Sequence, residues 1–553
     1  MLLRRGENPP GAGYSVTAQW TDRHHTSGKE VNVRLTKEIL KRCAAASLTD
    51  QIFFNTSVCR FLDTLLTQKG FTGQDLINLA KRFALSYPWS LDYAALKSQP
   101  NERFVFFPLI IAFPHNTEEV VFWVALAQCH HMTLSIRSGG HSAEGYSSAG
   151  ELLIDLSTSC FCCHARFGDC PQLRIDPVQN ILEMTAGVPL GVLYTELAKV
   201  NRITPLGTCP GVSSGLVVGG GVGPLARKYG LSCDQLVSVE IVLADGEVLV
   251  LRDDDPLFVG IKGAGTGNFG VVTSLTMNVF DLCSITYYSL TWNLHQFKSK
   301  QIGKVLTVWH NCFLNEAPQE VMSSTVRIST GLEPTLSITG WFEGSPQKLA
   351  NLLKTLWLDF VAAPTEQSID IITILEAATL LSGSQPQIQP FYFAHSSFSL
   401  CKTPKHKFTQ VIRFMKHQRP FEDVNDGQSV IVIEGFGKPA AVNDPALLKT
   451  SVFPTRSSIA WHLNNTFYRL QSLEAQAFAF SRRMDQILTE IFFPLAYYNW
   501  QDATLLKTDY LHRYFDGGHH VPFLRCLKEQ YDPHHVFSFP LGISQNGSAK
   551  QAL

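Results

Sequence analysis

Apolar residues in the first half of the chain follow two periods, one typical of helices and one of strands. Residues 61–66 and 76–84 have apolar positions at helical spacing. Thr117-Glu118-Glu119 predicts the start of another helix. Its predicted buried face consists of Val120, Val121, Val124 and Ala125. Two short strands are predicted next, one containing Leu134 and Ile136 and one over residues 152–156.

The clearest β pattern is a hairpin over residues 237–250. Apolar residues alternate on both sides of Asp245-Gly246, a pair typical of a tight turn. A third alternating run covers residues 271–279. Because hairpins and helices mix without a regular strand–helix–strand repeat, the pattern predicts an α+β fold rather than a doubly wound sheet.

The second half of the chain predicts a separate folding unit. It contains a strand-like run at Ser429–Glu434 and helix-like runs at residues 348–356 and 475–492. A chain of 553 residues is too long for one ordinary domain. The predicted divisions are a partly helical segment 1–85, a domain 86–280, a domain 281–490 and a C-terminal segment 491–553.

Composition and charge argue against two classes of partner. Apolar residues make up 45% of the chain, which is typical of a globular protein with large cores. The formal net charge is −1, so the chain has no excess of positive charge that would favour binding to nucleic acid. The longest apolar run, Phe104–Phe113, is too short to span a bilayer. We therefore expect no nucleic-acid partner and no membrane span, and the oligomeric state stays open.

The compartment is left open by two opposing signals. Residues 1–10 contain no apolar stretch typical of a secretory signal, which favours the cytoplasm by default. Glycosylation sequons begin at Asn55, Asn464 and Asn546, and they would matter if the chain were secreted.

Thirteen cysteines leave one over in any complete set of disulfides. Four of them (Cys160, Cys162, Cys163 and Cys170) surround His164. A zinc site is an alternative there, but the spacing lacks a clean pair of ligands two residues apart. We favour a cysteine-rich surface hairpin and predict no metal site.

Two glycine-containing turns carry nucleophilic side chains. Arg137-Ser138-Gly139-Gly140-His141-Ser142 follows a predicted strand, and its successive amides suit a pyrophosphate. Gly207-Thr208-Cys209-Pro210 presents a thiol in a similar setting. Taken singly, each segment is equally compatible with a structural turn, and a lone cysteine is usually a small buried apolar residue.

The run Gly219–Ala226 formally matches a dinucleotide-binding fingerprint. Glu240, nineteen residues after Gly221, is the acidic residue this fingerprint requires, but it lies in the middle of a predicted strand. Pro224 also interrupts the turn. We therefore interpret the run as a glycine-rich contact with a different ligand rather than a nicotinamide site.

Taken in order, these motifs resemble the berberine bridge enzyme-like group of FAD-linked oxidases, within the vanillyl-alcohol oxidase superfamily. The resemblance covers residues 90–280 and 490–543 well and the middle loosely. Its other matching segments are Tyr93–Pro108, Leu225-x-Arg227-x-Tyr229-Gly230-Leu231, Gly265-x-Gly267-Asn268-Phe269-Gly270-Val271-Val272 and Tyr531–Phe537.

The resemblance implies a two-part FAD-binding domain, made from residues 86–280 and 491–553, and a substrate domain with an antiparallel sheet backed by helices. It implies bicovalent FAD, with His141 on the 8α methyl and Cys209 on carbon 6. The other residues implied to bind the cofactor are Arg137, Ser138, Gly139, Gly140, Ser142, Gly219, Gly220, Gly221, Gly223, Asn268, Phe269, Gly270, Val271, Val272 and Asn499.

The implied reaction is hydride transfer from a small alcohol, sugar or alkaloid-like substrate to flavin, with O₂ as acceptor and hydrogen peroxide as product. Val212 occupies the family's oxygen-gatekeeper position, where valine resembles the oxidases. The family's catalytic tyrosine corresponds to Trp500, whose indole cannot accept a proton. Either Tyr497, Tyr498 or another group then replaces it as the base, or base-assisted alcohol oxidation is impaired. A dehydrogenase, a catalytically impaired FAD-binding protein and a nicotinamide enzyme are the alternatives.

Overall fold

A computed structural model of the chain describes residues 63–157, 173–281, 284–383 and 390–543. The cysteine-rich stretch 160–170 and the sequons at Asn55 and Asn546 lie outside these ranges. The third sequon residue, Asn464, is fully buried in a strand, so it is not accessible to glycosylation in the folded protein.

In the described ranges, residues 63–68 are α-helical and fifteen further helices follow. The helices are α1 (Gly73–Arg82), α2 (Tyr93–Leu96), α3 (Thr117–Cys129), α4 (Leu190–Lys199), α5 (Ser214–Val218), α6 (Ala226–Tyr229), α7 (Pro256–Ala264), α8 (Ser299–Val308), α9 (Leu314–Glu316), α10 (Pro346–Leu356), α11 (Ile374–Gly383), α12 (Lys405–His417), α13 (Glu474–Ile491), α14 (Tyr510–Tyr514) and α15 (Val521–Tyr531).

Four sheets are formed by eighteen strands of the described ranges. The strands are β1 (Leu85–Ser86), β2 (Ile110–Ala112), β3 (Leu134–Arg137), β4 (Leu152–Asp155), β5 (Leu173–Asp176), β6 (Ile181–Thr185), β7 (Arg202–Ile203), β8 (Leu236–Val242), β9 (Val248–Leu251), β10 (Val271–Asn278), β11 (Phe280–Asp281), β12 (Ile285–Asn293), β13 (Thr325–Ser329), β14 (Thr335–Glu343), β15 (Glu366–Ile372), β16 (Phe391–Ser399), β17 (Gly427–Gly435) and β18 (Ala460–Tyr468).

The first sheet has the order β1-β2-β4-β3, with β4 parallel to both of its neighbours. Helix α3 packs on it and begins at Asn116, whose side chain accepts a hydrogen bond from the N–H of Glu119. The buried face of α3 is Val120, Trp123, Val124 and Ala127, as helical periodicity requires. The prediction that Ala125 is buried is wrong, because it lies on the solvent side, and Val121 is only half-buried.

The second sheet is antiparallel, with the order β5-β6-β10-β8-β9. The predicted hairpin is confirmed as β8 and β9, in which Val242 faces Val248. Gly246 in its turn has φ +87°, a conformation that glycine adopts without strain. Mixed and antiparallel sheets with helices between them confirm the predicted α+β class.

The seven-stranded sheet, with the order β15-β12-β14-β13-β17-β18-β16, is antiparallel throughout. One of its faces is apolar and packs on α8, α10 and α12. The opposite face of β12, β13 and β14 is half-buried and rich in hydroxyl groups. Its side chains include Ser289, Thr291, Thr325, Arg327, Ser329, Ser337 and Thr339.

The C-terminal segment returns to the first part of the chain. Nζ of Lys528 donates to the carbonyl oxygens of Asn268 and Phe537 and pairs with Asp532, each at 2.6 Å. These contacts seat α15 against the loop before β10. Within the described ranges, each helix is too short or too polar to cross a membrane.

Candidate active site

Two loops from different parts of the chain meet at the N-terminal end of α5. The first follows β3 and carries His141, and the second precedes α5 and carries Cys209. The loops touch through glycines. A Cβ on Gly139 would lie 2.7 Å from the carbonyl oxygen of Gly211, and a Cβ on Gly211 would lie 2.7 Å from Cε1 of His141. Real side chains do not tolerate these distances, so both glycines are needed for the approach.

The two loops bring the imidazole of His141 near the thiol of Cys209, so that each group shifts the pKa of the other. Nδ1 of His141 lies 2.6 Å from the carbonyl oxygen of Gly139. Burial alone would raise the pKa of Cys209, but the neighbouring imidazole and the N–H groups of Gly211 and Val212 offset it, so the pKa lies below its ordinary value. Burial likewise opposes the charged form of His141, but the neighbouring thiol of Cys209 leaves its pKa raised. Both shifts act in the direction of a thiolate next to an imidazolium, and the thiolate is the nucleophilic form of cysteine.

The remaining polar side chains of the first loop are bound within the protein. Arg137 pairs with Asp155 and donates to the carbonyl oxygen of Leu96 at 2.6 Å. Oγ of Ser138 accepts from the N–H of Gly215, and Oγ of Ser142 accepts from the N–H of Tyr146. These contacts position the loop, and Gly140 continues it with φ +71°. Direct contact of these residues with a cofactor stays a prediction.

Tyr497 and Asn499 hold the glycine run that begins at Gly219 through hydrogen bonds. Oη of Tyr497 accepts hydrogen bonds from the N–H groups of Gly221 and Val222 and from Nδ2 of Asn499, at 2.7, 3.2 and 2.7 Å. The N–H groups of Gly219 and Gly220 donate to the carbonyl oxygens of Gly215 and Val217. These amides are therefore engaged within the chain, and contact of Gly219, Gly220, Gly221 or Gly223 with flavin stays a prediction.

The two tyrosines predicted as bases occupy structural positions. Tyr497 and Tyr498 are buried, and burial raises the pKa of both phenols above the ordinary value. Oη of Tyr498 accepts from Nδ2 of Asn268 at 2.9 Å and donates to the carbonyl oxygen of Leu541 at 3.0 Å. Phenols with raised pKa and occupied hydroxyls are poor proton acceptors at neutral pH.

Residues 268–272 hold the C-terminal segment. Oδ1 of Asn268 accepts from the N–H of Ile543 at 3.0 Å, and Phe269 is fully buried. A Cβ on Gly270 would lie 2.4 Å from the carbonyl oxygen of Val242, so this glycine lets β10 approach β8. Val271 and Val272 begin β10. The predicted cofactor contacts of these residues stay predictions.

Glu434 is a site residue that sequence reasoning missed. It lies on β17 between Thr325 of β13 and Trp461 of β18, on the face turned away from α8 and α12. Oγ1 of Thr325 donates to its carboxylate at 2.7 Å, and burial raises the pKa of Glu434 to about 8. The available signal was a single carboxylate at the end of the apolar run Val430–Ile433.

Trp461 connects this face of the sheet with the glycine run. Its ring meets the ring of Tyr497 edge-on, with centroids 5.5 Å apart. Val212 and Trp500 are partly buried and pack on the apolar core that contains Trp461 and Tyr497. This core includes residues from before β12, from the seven-stranded sheet and from the C-terminal segment. A chain of contacts thus runs from Glu434 through Trp461 and Tyr497 to the glycine run.

Glu240, the acidic residue that the dinucleotide fingerprint requires, has a structural role in the fold. Its Oε1 accepts hydrogen bonds from the hydroxyls of Thr117 and Thr273 at 2.7 and 2.6 Å, in the middle of β8. A carboxylate that ties α3 to β10 is not the strand-end ribose ligand of a nicotinamide site.

Comparison with known families agrees with this architecture. The family described as FAD binding domain matches residues 108–252, and the family described as berberine and berberine like matches residues 496–544. An uncharacterized FAD-linked oxidoreductase of Bacillus subtilis is 26% identical over 82% of this chain and 94% of that protein. Glucooligosaccharide oxidase of Sarocladium strictum is 25% identical over 81% of this chain and 89% of that protein.

Solved structures show the same fold. The berberine bridge enzyme-like protein 1 of Physcomitrella patens superposes with a TM-score of 0.72 at 22% identity, over 85% of this chain and 98% of that one. Xylooligosaccharide oxidase from Myceliophthora thermophila superposes with a TM-score of 0.70 at 22% identity, over 88% and 99%. Together, the fold and the family matches define an FAD-dependent oxidoreductase. The chain belongs to the berberine bridge enzyme-like family of FAD-linked oxidoreductases.

The residues of the site fit this cofactor. His141 and Cys209 are only partly buried, which leaves both side chains accessible to a ligand between the loops. Their opposing pKa shifts make the thiol more nucleophilic, as covalent attachment requires. The donor set is therefore suited to hold a flavin.

Proposed function

We propose that the protein is an FAD-linked oxidase that carries its flavin covalently on His141 and Cys209 and oxidises a small organic alcohol or sugar. The observation that carries the proposal is the close approach of the two loops that bear these side chains, in which Gly211, two residues after Cys209, lies against the ring of His141. Two nucleophiles at one place support two points of attachment.

The bound FAD would supply the electron pair acceptor of the reaction. Glu434 would take the proton of the substrate hydroxyl, because its buried carboxyl lies on the polar face of the seven-stranded sheet, opposite Thr325. Thr325 orients that carboxyl through its hydrogen bond. Tyr497 and Tyr498 would instead hold the glycine run and the C-terminal segment in place.

The substrate class follows from the chemistry of the same sheet face. Its serine and threonine hydroxyls can exchange hydrogen bonds with a polyhydroxylated substrate. Several relatives and structural neighbours are named as oligosaccharide oxidases, which supports a sugar or related alcohol. Val212, next to the Cys209 loop, supports O₂ as the acceptor, with hydrogen peroxide as the product.

Covalent attachment is tested by acid precipitation of the purified protein. Yellow colour should remain in the pellet for the wild type and for His141→Ala and Cys209→Ala singly. The double variant should release it to the supernatant. Ser138→Ala is a matched control from the same loop and should keep the colour. Release of colour from the wild type would overturn the covalent proposal.

The choice between oxidase and dehydrogenase is tested separately. The holoenzyme is reduced anaerobically by a substrate found in a panel of alcohols and oligosaccharides, and then mixed with air-saturated buffer. An oxidase regains its flavin absorbance within seconds and releases hydrogen peroxide. Reoxidation that needs an artificial acceptor would identify a dehydrogenase, and no reduction by any substrate would identify a catalytically impaired protein.

A further inference from the structure

A cluster of buried ionisable side chains lies beside the His141 loop, apart from the residues assigned above. Glu144 is three residues after His141 and only 6% exposed. Oε1 of Glu144 accepts a hydrogen bond from the N–H of Ala503 at 3.1 Å. His395 of β16 and Asp502 form a buried pair, with Nδ1 and Oδ2 2.6 Å apart.

The cluster joins three parts of the molecule. Nδ2 of Asn101 donates to the carbonyl oxygens of Ala143 and Tyr392, at 2.7 and 3.2 Å, and so ties the His141 loop to β16. The bond between Glu144 and Ala503 ties the same loop to the segment after Trp500. Of these bonds, the one accepted by the Glu144 carboxyl is stronger when that group is ionised.

Two atoms of the cluster are buried without a hydrogen-bond partner. They are Oε2 of Glu144 and Nε2 of His395. Unsatisfied buried polar atoms are costly, and these two are complementary, since one accepts and the other can donate. The contact of His395 with Asp502 favours the imidazolium, in which Nε2 carries a proton.

We propose that Glu144 is a positioning residue for His141 that acts through a proton-dependent contact with His395. When Glu144 is ionised, its Oε2 accepts a hydrogen bond from Nε2 of His395, directly or through one buried water. When Glu144 is protonated, that contact opens and the loop loses one of its ties to β16, while the hydrogen bonds of Asn101 remain. The proposal rests on the proposed function of His141 as an attachment residue.

The charges around Glu144 support a change of state near neutral pH. Burial raises its pKa to about 7, Asp502 acts in the same direction, and Arg103, His395 and the N–H of Ala503 oppose the increase. The other ionisable groups facing the cluster from adjacent elements are Tyr146, Tyr392, Arg482, Asp485, Tyr510, Arg513 and Tyr514. Ionisation and closure of the contact should therefore occur as the pH rises through about 7.

The test records the flavin absorbance spectrum and the tryptophan emission of the purified holoenzyme between pH 5.5 and 8.5. The wild type should show one transition centred near pH 7. Glu144→Gln should abolish it, and His395→Asn should move it upward by about one pH unit, because a neighbouring positive charge is lost. Glu151→Gln removes another buried carboxylate, immediately before β4, and should leave the transition unchanged.

Each result decides between the alternatives. A wild-type spectrum and emission that stay constant over the pH range, or a transition that survives in Glu144→Gln, overturns the proposal. If Glu144→Gln does not accumulate as folded protein, His395→Asn decides, and an unmoved midpoint overturns it. Acid precipitation tests covalent attachment separately, so colour released there would refute the attachment while the pH midpoint still tests the network.

Discussion

At the scale of single residues, the environment of each acidic group determines its role in the site. Tyr497 and Tyr498 are buried with their hydroxyls engaged, and burial raises their pKa further from neutrality. Glu434 is also buried, but its pKa of about 8 leaves a substantial ionised fraction at mildly alkaline pH. The carboxyl is therefore the better proton acceptor of the three.

We expect Glu434→Gln to lower kcat/KM by about 100-fold or more, because a neutral amide cannot accept the substrate proton. In the wild type, kcat/KM should rise with pH and level off above about 8, where Glu434 is ionised. Thr325→Val removes a hydrogen bond that favours the carboxylate and should move this midpoint upward. Steady-state kinetics from pH 6 to 10 measure both effects. Activity within a few-fold of wild type in Glu434→Gln would show that another group is the base.

At the scale of elements, the turn between α5 and α6 depends on close contact between backbones. A Cβ on Gly223 would lie 1.9 Å from the carbonyl oxygen and 2.7 Å from the carbonyl carbon of Leu206. The loop that carries Cys209 begins immediately after Leu206, so this contact sets the distance between the glycine run and the thiol loop. Backbone atoms cannot move aside as the end of a flexible side chain can.

Gly223→Ala should therefore destabilise the protein by about 3 kcal/mol through overpacking. Gly73→Ala is the matched control, since no atom lies within 4 Å of its added Cβ at the start of α1. That variant should equal the wild type or exceed its stability by less than about 1 kcal/mol. Equilibrium unfolding in urea measures both variants, and equal stabilities would show that Leu206 yields to the added methyl group.

At the scale of the whole molecule, Arg227 joins the first part of the chain to the seven-stranded sheet and its helices. The fully buried guanidinium donates to the carbonyl oxygens of Leu314, Ala317, Val321 and Phe436. Burial lowers its pKa to about 10, which still leaves it charged at neutral pH. One side chain thus donates to four carbonyls of the second part of the chain.

Arg227→Lys should lower the unfolding free energy by at least about 3 kcal/mol. Lysine keeps the charge but lacks the planar fork, so several buried carbonyls lose their donor. The control is Arg469→Lys, at an exposed ion pair with Asp426, which should cost less than about 1 kcal/mol. Thermal unfolding followed by calorimetry compares them. Equal melting temperatures for the two variants would contradict the bridging role of Arg227.

Local sequence determined the elements and the chemistry available to them. Alternation and the Asp245-Gly246 turn were sufficient for the β8–β9 hairpin, because strand period and turn type depend on neighbours in sequence. The same holds for the two nucleophile-bearing loops, whose residues 137–142 and 207–210 indicated a bound flavin through their resemblance to a family. The prediction that Ala125 is buried was wrong. Apolar residues lie on two adjacent faces of α3, and only packing against the sheet determines which face is buried.

Only the tertiary structure decided how those residues are used. It brought the His141 loop against the Cys209 loop, engaged the hydroxyls of Tyr497 and Tyr498 in hydrogen bonds, and placed Glu434 between Thr325 and Trp461. Burial, hydrogen-bond partners and pKa arise from contacts between strands and loops that are far apart in sequence. The sequence by itself therefore determined the flavin family, and the packing of distant segments decided which side chains are free to act in the reaction.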